Sequence, residues 1–318
     1  MKYFRDIFRE RKEVSVRYDP EDQAVWLYLN PKDRPRLSLD LVNSILEVSK
    51  SIISYFEKSS VLEKFPIKYY VVASQIKGIF NYGGDLDYFL TLVETSNEEE
   101  LRKYTNLCVE NVYLFDKNLN LPIETISLVQ GTALGGGFEL VLSTSMIVAE
   151  KSAKMGFPES RFNLFPGVGG YTFLAKKYGV KLAEEMITSG KIFTSDLLYQ
   201  NGIVDEVVEE GEGVDFVKRY MKKRSKNFKS HIALLKARQT HLNITIQELD
   251  KIATLWMNMV LNLGNSDIKA LRRLVSAQDG KDINSTLKMR TLQDRRLYPE
   301  ENLTVYDRRK NIYDRRNI

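Results

Sequence analysis

Cysteine is almost missing from this 318-residue chain. Cys108 is the only one, which excludes an internal disulfide framework and suits a cytoplasmic protein. Histidine is nearly as scarce: His231 and His241 stand ten residues apart, far from Cys108, and form no zinc-ligand pattern. A Ser-His-Asp triad is formally possible, but no G-x-S-x-G elbow is present. No apolar run reaches membrane-spanning length, and the opening Met1-Lys-Tyr-Phe-Arg-Asp6 lacks the apolar stretch of a signal peptide. With thiols and imidazoles so few, acid–base chemistry falls to carboxylates.

Excess charge is also largely absent from the body of the chain. The net charge is +5, but residues 281–318 carry ten Lys/Arg against six Asp/Glu and so hold +4 of it. The nearly neutral remainder argues against a nucleic-acid-binding body. Hydrophobic content of 43% and charged content of 28% are those of an ordinary globular protein, long enough for one large core or two modest ones.

What is present is an alternation of strands and helices. Val14 to Tyr18 and Ala24 to Leu29 read as strands around an Asp19-Pro20-Glu21-Asp22 turn. Ser38 caps a helix to about Phe56, with Leu41, Ile45, Val48 and Ile52 on one face. Tyr69 to Ala73 is a buried strand leading to a glycine turn at Gly83-Gly84; a helix near 85–92 and a longer one ending near Asp116 follow. Ile123 to Val129 is another strand, entering Gln130-Gly-Thr-Ala-Leu-Gly-Gly-Gly-Phe-Glu-Leu140. Met146 to Ala149 and Ile203 to Val208 read as strands, and helices fall near 170–178, 180–189, 194–200 and 214–224. From 228 to 278 the pattern is helical, and past Asp279 the hydrophobics thin out into a tail. This is α/β; the periodicity alone leaves open a doubly wound sheet or a coil of ββα turns.

Two glycine turns, each after a strand, carry the chemistry. Glycine at a strand-to-helix turn allows close approach of a ligand to the backbone, and the first amides of the next helix attract an oxyanion. Gly84 and Gly136 can each aim one N–H at a shared thioester carbonyl, the kind of help an enolate needs. Glu139 and Glu159 can then manage protons, since burial and mutual repulsion split the pKa values of two carboxyls in an apolar pocket. Each motif alone is as readily a tight turn or a helix start; the spacing of Gly-Gly-Gly-x-Glu and Phe-Pro-Glu twenty residues later is what is unusual.

Gly83-Gly84-Asp85-Leu86, Ala133 to Leu140, Gly156-Phe-Pro-Glu159 and Pro166-Gly-Val-Gly-Gly170 together resemble the enoyl-CoA hydratase/isomerase (crotonase) superfamily over about residues 12–225. The resemblance implies a crotonase-like ββα spiral core over 1–227 and a helical C-terminal segment over 228–280 that covers the active site; residues 281–318 read from their composition as a basic tail, partly disordered by itself. It implies trimers or dimers of trimers, Gly84 and Gly136 as oxyanion-hole amides, and Glu139 and Glu159 as catalytic glutamates. Cys108-Val-Glu-Asn-Val112, Arg161 to Gly167 and Tyr171-Thr-Phe173 look more narrowly like the diffusible-signal-factor synthases of bacterial quorum sensing. Such an enzyme dehydrates a 3-hydroxyacyl group on acyl carrier protein and hydrolyses the thioester to a free cis-2-unsaturated fatty acid. It needs no metal and no cofactor beyond the acyl carrier, and a membrane sensor kinase is a further implied partner. The alternatives are a metabolic enoyl-CoA hydratase and a non-catalytic partner-binding protein of the same fold.

A long acyl chain needs an apolar pocket. Trp256 is the candidate wall residue, on a helix that also offers Leu249, Ile252, Leu255, Met259 and Val260; Met155 and Phe157 flank the second glutamate. Tyr82 stands where coenzyme-A-dependent hydratases often have a small residue against the coenzyme, which fits a carrier-protein donor. Arg34, Arg36, Lys77 and the tail arginines are the cations that an acidic carrier protein could meet.

Overall fold

The computed structural model describes residues 2–31, 34–58 and 67–279, so the expected 281–318 tail lies outside the described residues. The strands are β1 (Val14–Asp19), β2 (Ala24–Leu29), β3 (Tyr69–Ser74), β4 (Gly78–Asn81), β5 (Glu124–Val129), β6 (Gly131–Leu134), β7 (Met146–Glu150), β8 (Lys154–Gly156), β9 (Ile192–Thr194) and β10 (Glu206–Val208). The helices α1 (Lys2–Ile7), α2 (Leu39–Lys58), α3 (Leu86–Glu94), α4 (Glu98–Asp116), α5 (Gly136–Ser143) and α6 (Gly170–Tyr178) precede α7 (Val180–Ser189), α8 (Ser195–Gln200) and α9 (Gly213–Arg224). Three more close the described chain: α10 (Phe228–Leu242), α11 (Ile246–Leu261) and α12 (Asn265–Asp279).

Two sheets share the strands: a six-stranded one in the order β1-β2-β3-β5-β7-β10 and a four-stranded one in the order β4-β6-β8-β9. Three times the chain leaves the larger sheet for the smaller (β3 to β4, β5 to β6, β7 to β8), and the second and third landings, β6 and β8, are parallel to the strand laid down before. That stepwise advance is a ββα spiral, and it decides against a doubly wound sheet. Helices cover both faces of the larger sheet. Alternate residues of β2 and β3 enter two cores: Val25, Leu27, Tyr70 and Val72 the main one, Ala24, Trp26, Tyr69 and Val71 the one shared with Val217 and Met221 of α9.

The small sheet is what the sequence reading did not foresee. Its strands are four residues long or fewer, too short for a period to show, and three of the four have a glycine at one end. Gly131 in β6 lies directly beside Gly78 of β4, so the two backbones approach where no side chain fits. The strand expected over Ile203 to Val208 shrinks to Glu206–Val208, because Ile203 and Val204 turn back and donate their N–H groups to the Leu198 carbonyl. Ser38 does cap α2, its Oγ accepting the Leu41 N–H at 3.0 Å. Among the described residues no helix is long and apolar enough to cross a membrane.

Candidate active site

The two glycine turns leave parallel neighbours, β4 and β6, from the same edge of the small sheet and so lie side by side. Gly83 has φ +90°, and a methyl there would stand 2.7 Å from the Leu134 oxygen and 3.2 Å from the Gly136 nitrogen. Its carbonyl accepts the Leu37 N–H at 2.7 Å. In a trans peptide the N–H points opposite to the C=O, so the Gly84 N–H faces away from Leu37. Gly135, at φ +50° and ψ −126°, makes the second turn and starts α5. The Gly136 N–H belongs to the first helical turn, where intrahelical partners are lacking. A methyl on Gly136 would lie 3.6 Å from the Gly84 nitrogen, which places the two amides within reach of one oxygen atom.

Both glutamates approach the same triplet. Glu139, in the first turn of α5, is buried, and its Oε1 accepts the Val168 and Gly170 N–H groups at 2.8 Å each. Its Oε2 is thereby turned toward Gly136, 3.8 Å from where a methyl would stand. Burial pushes this carboxyl up to about 7, against the pull of the amides that bind it. Glu159 sits in a 3-10 turn, Pro158–Phe162, with Oε1 against the bare face of Gly135, where a methyl would collide with it. The residue as a whole is half-buried, but its Oε2 is enclosed and has no hydrogen-bond partner among the described residues. Burial, then the charge of Glu139, pushes Glu159 up to about 8. Two carboxyls that both resist ionisation thus flank Gly135-Gly136.

Around them is a pocket with about 1080 Å³ of empty space, open mouth included, into which Gly84, Gly136, Glu139 and Glu159 all face. Its other walls are mainly apolar: Leu37, Leu86, Phe89, Phe162, Leu164, Phe165 and Val168, with Tyr82, Tyr104, Cys108 and Trp256. The Trp256 ring lies flat on Gly167, where a methyl would come within 2.7 Å of Cδ1, and tilts against Phe89 at 5.3 Å between centroids.

The family profile described as enoyl-CoA hydratase/isomerase matches residues 47–267. The chain belongs to this family. Solved enoyl-CoA hydratases share the fold: that of Bacillus halodurans superposes with a TM-score of 0.68 at 20% identity, covering 84% of this chain and 100% of its own. That of Bacillus anthracis gives 0.64 at 21% identity, with coverages of 83% and 96%. The ECH2 decarboxylase domain of CurF from Lyngbya majuscula gives 0.64 at 17%, with coverages of 82% and 98%. At these identities the likeness is one of fold.

Within this enoyl-CoA hydratase/isomerase fold, Tyr82 and Trp256 line the pocket with the four central residues, whereas Met155 and Phe157 do not. Both are fully buried in the main core. Met155 is held in β8 opposite Phe193 of β9, and Phe157 packs on Phe138 at 5.0 Å, so the expectation that places them at the pocket is corrected to core packing. Of the apolar α11 residues, Leu249 and Val260 are core, Leu255 (61%) and Met259 (39%) are exposed, and only Trp256 reaches the pocket. Arg36 is bound at 3.1 Å to Asp85 and at 2.9 Å to Asp87, and Arg34 also pairs with Asp87. Of the three body cations expected to meet a carrier, Lys77 is the exposed one. Leu37, Phe89 and Tyr104 were missed. Tyr104, Cys108 and Val112 share a buried α4 stripe at helical spacing, which reads as core packing and gave no hint that it ends at a pocket.

Proposed function

We propose that this protein dehydrates a 3-hydroxyacyl thioester to the 2-enoyl thioester and then hydrolyses it, releasing a cis-2-unsaturated fatty-acid signal. The observation that carries the reading is the convergence of the Gly84 and Gly136 amides with Glu139 and Glu159 on one apolar pocket. The thioester oxygen lies between the two amides, which stabilise the charge that grows there as the C2 proton leaves. One glutamate, ionised, takes that proton; the other, protonated, delivers one to the C3 hydroxyl, which departs as water with its bonding pair. Val168 and Gly170 hold Glu139 in a single orientation while this happens. For release, a water deprotonated by a glutamate adds to the same carbonyl, the amides hold the tetrahedral oxyanion, and the carbon–sulfur bond breaks as the thiolate takes up the proton. The apolar walls under Trp256 and Phe89 take the acyl chain. The hydrolytic step and the carrier-protein donor rest on the resemblance read in the sequence at 108–112, 161–167 and 171–173 alone.

The test is incubation of the purified chain with 3-hydroxydodecanoyl-carrier protein, with products read by mass spectrometry. Free cis-2-dodecenoic acid supports the full reading. Enoyl thioester without free acid removes the hydrolytic half and favours a hydratase. Unchanged substrate, on the carrier protein and on coenzyme A alike, removes the reading altogether.

A further inference from the structure

The geometry points to Tyr104 as the positioning residue of the Gly84 oxyanion donor, acting through one hydroxyl wedged between the two segments that hold the turn. This rests on the reading of Gly84 given under the proposed function. Tyr104 lies on α4, which packs directly on the Glu139 helix α5, and the residue is 6% exposed. Its hydroxyl donates to the Leu37 carbonyl at 2.6 Å and accepts the Asp85 N–H at 3.4 Å. It stands 3.9 Å from where a side chain at Gly84 would begin, and it borders the pocket.

Those bonds act on the peptide units on either side of Gly84. The unit before it, Gly83–Gly84, is oriented by the Leu37 N–H on the Gly83 carbonyl. The unit after it, Gly84–Asp85, is oriented by the Tyr104 oxygen on the Asp85 N–H. The same oxygen holds Leu37 by its carbonyl, so one phenol fixes both the strut and the turn. Leu37 and Gly84 form an isolated parallel bridge, and the hydroxyl bonds to the Leu37 carbonyl and the Asp85 N–H that face each other across it. Burial raises the Tyr104 pKa well above its ordinary value, which keeps the phenol protonated and able to donate. Its ring is braced edge-on against Tyr88 at 5.8 Å, so the oxygen has little freedom to move. An oxyanion donor displaced by a fraction of an ångström loses most in the transition state, where the charge is largest.

The experiment compares wild type, Tyr104→Phe and, as a control, Tyr88→Phe. Steady-state kinetics are measured on a 3-hydroxyacyl thioester and backbone amide exchange is read by NMR. Tyr104→Phe lowers kcat by about tenfold with KM within about twofold, and Tyr88→Phe leaves both unchanged. The Asp85 amide exchanges faster in Tyr104→Phe, while amides in the middle of α4 keep their protection. An unchanged kcat in a folded Tyr104→Phe, or a rise in KM alone, overturns the proposal. Should wild type act on no thioester, the reading of function fails, and the exchange comparison still decides: an Asp85 amide indifferent to the substitution overturns Tyr104's role. Should the variant not fold, wild type decides, since an Asp85 amide exchanging at the unprotected rate is incompatible with the bond.

Discussion

Glu139 and Glu159 keep their protons well above the ordinary carboxyl range, because the pocket that makes them useful also makes their charges costly. Their carboxyls are pushed up to about 7 and about 8, and they titrate as a coupled pair. Chemistry that needs one proton between the two is therefore fastest where one has been lost and one kept. A pH–rate profile is expected to be a narrow bell with apparent limbs near 7 and 8, falling toward pH 5 and toward pH 10. A plateau from pH 5 to 7 would contradict it. The same shifts bear on stability with a definite sign. Above the ordinary value of 4.5 the unfolded chain releases protons that the folded chain still holds, so stability falls as pH rises until Glu159 ionises near 8. Glu159→Gln stays neutral at every pH. It is expected to raise Tm relative to wild type more at pH 9 than at pH 5, by about 2–4 °C for each kcal/mol relieved; equal differences at both pH values would refute the burial argument. That these two acids lie beside the glycine turns could be expected from the sequence, because the paired motifs Gly-Gly-Gly-x-Glu and Phe-Pro-Glu are an unusual combination. Tyr104 could not, since a buried tyrosine on a helical stripe looks the same whether its hydroxyl faces a core or a turn. Met155 and Phe157 misled for the converse reason: adjacency in sequence to Glu159 says nothing of direction when a strand ends between them.

Helix α11 brings Trp256 to the pocket wall; its buried face is Leu249, Ala253, Met257 and Val260, and a few polar groups fix its start. Thr245 caps it by accepting the Glu248 N–H at 3.2 Å. Lys176 of α6 binds both Glu248, at 2.6 Å, and the Asn243 carbonyl, at 2.9 Å. Removing the cap with Thr245→Ala is expected to cost about 1 kcal/mol of stability, measurable by urea unfolding. Gly167→Ala tests the other contact. A methyl there occupies the space of the Trp256 ring, which must move from the pocket wall. The expected outcome is a KM for a twelve-carbon substrate raised by about tenfold, equivalent to about 1.4 kcal/mol, with the bell-shaped profile preserved. A KM unchanged for long chains would show that Trp256 does not contact the acyl group. Long amphipathic helices such as α2, α4 and α11 were legible because twenty, nineteen and sixteen residues give a period time to show. The small sheet was not. Three or four residues carry too little alternation for a strand to be read from them.

At the scale of the whole molecule, the spiral explains why residues so far apart in sequence meet. Each turn brings the end of a small-sheet strand back beside the previous one, so Gly84, Gly136 and Glu159 follow β4, β6 and β8 in register. Composition and periodicity could give α/β but not this winding, which only the family resemblance implied. The assembly is expected to be a trimer or a dimer of trimers, so light scattering should read three or six times 36.8 kDa. A value of one chain mass would leave Leu255 at 61% and Leu234 at 67% exposure without a covering partner. The central claim is that two carboxyls and two amides serve one carbonyl, and initial rates of 3-hydroxyacyl-thioester dehydration test it most directly. Glu139→Gln and Glu159→Gln, each folded, are predicted to fall by about 10²–10⁴ relative to an active wild type. Full activity in either variant would contradict the account.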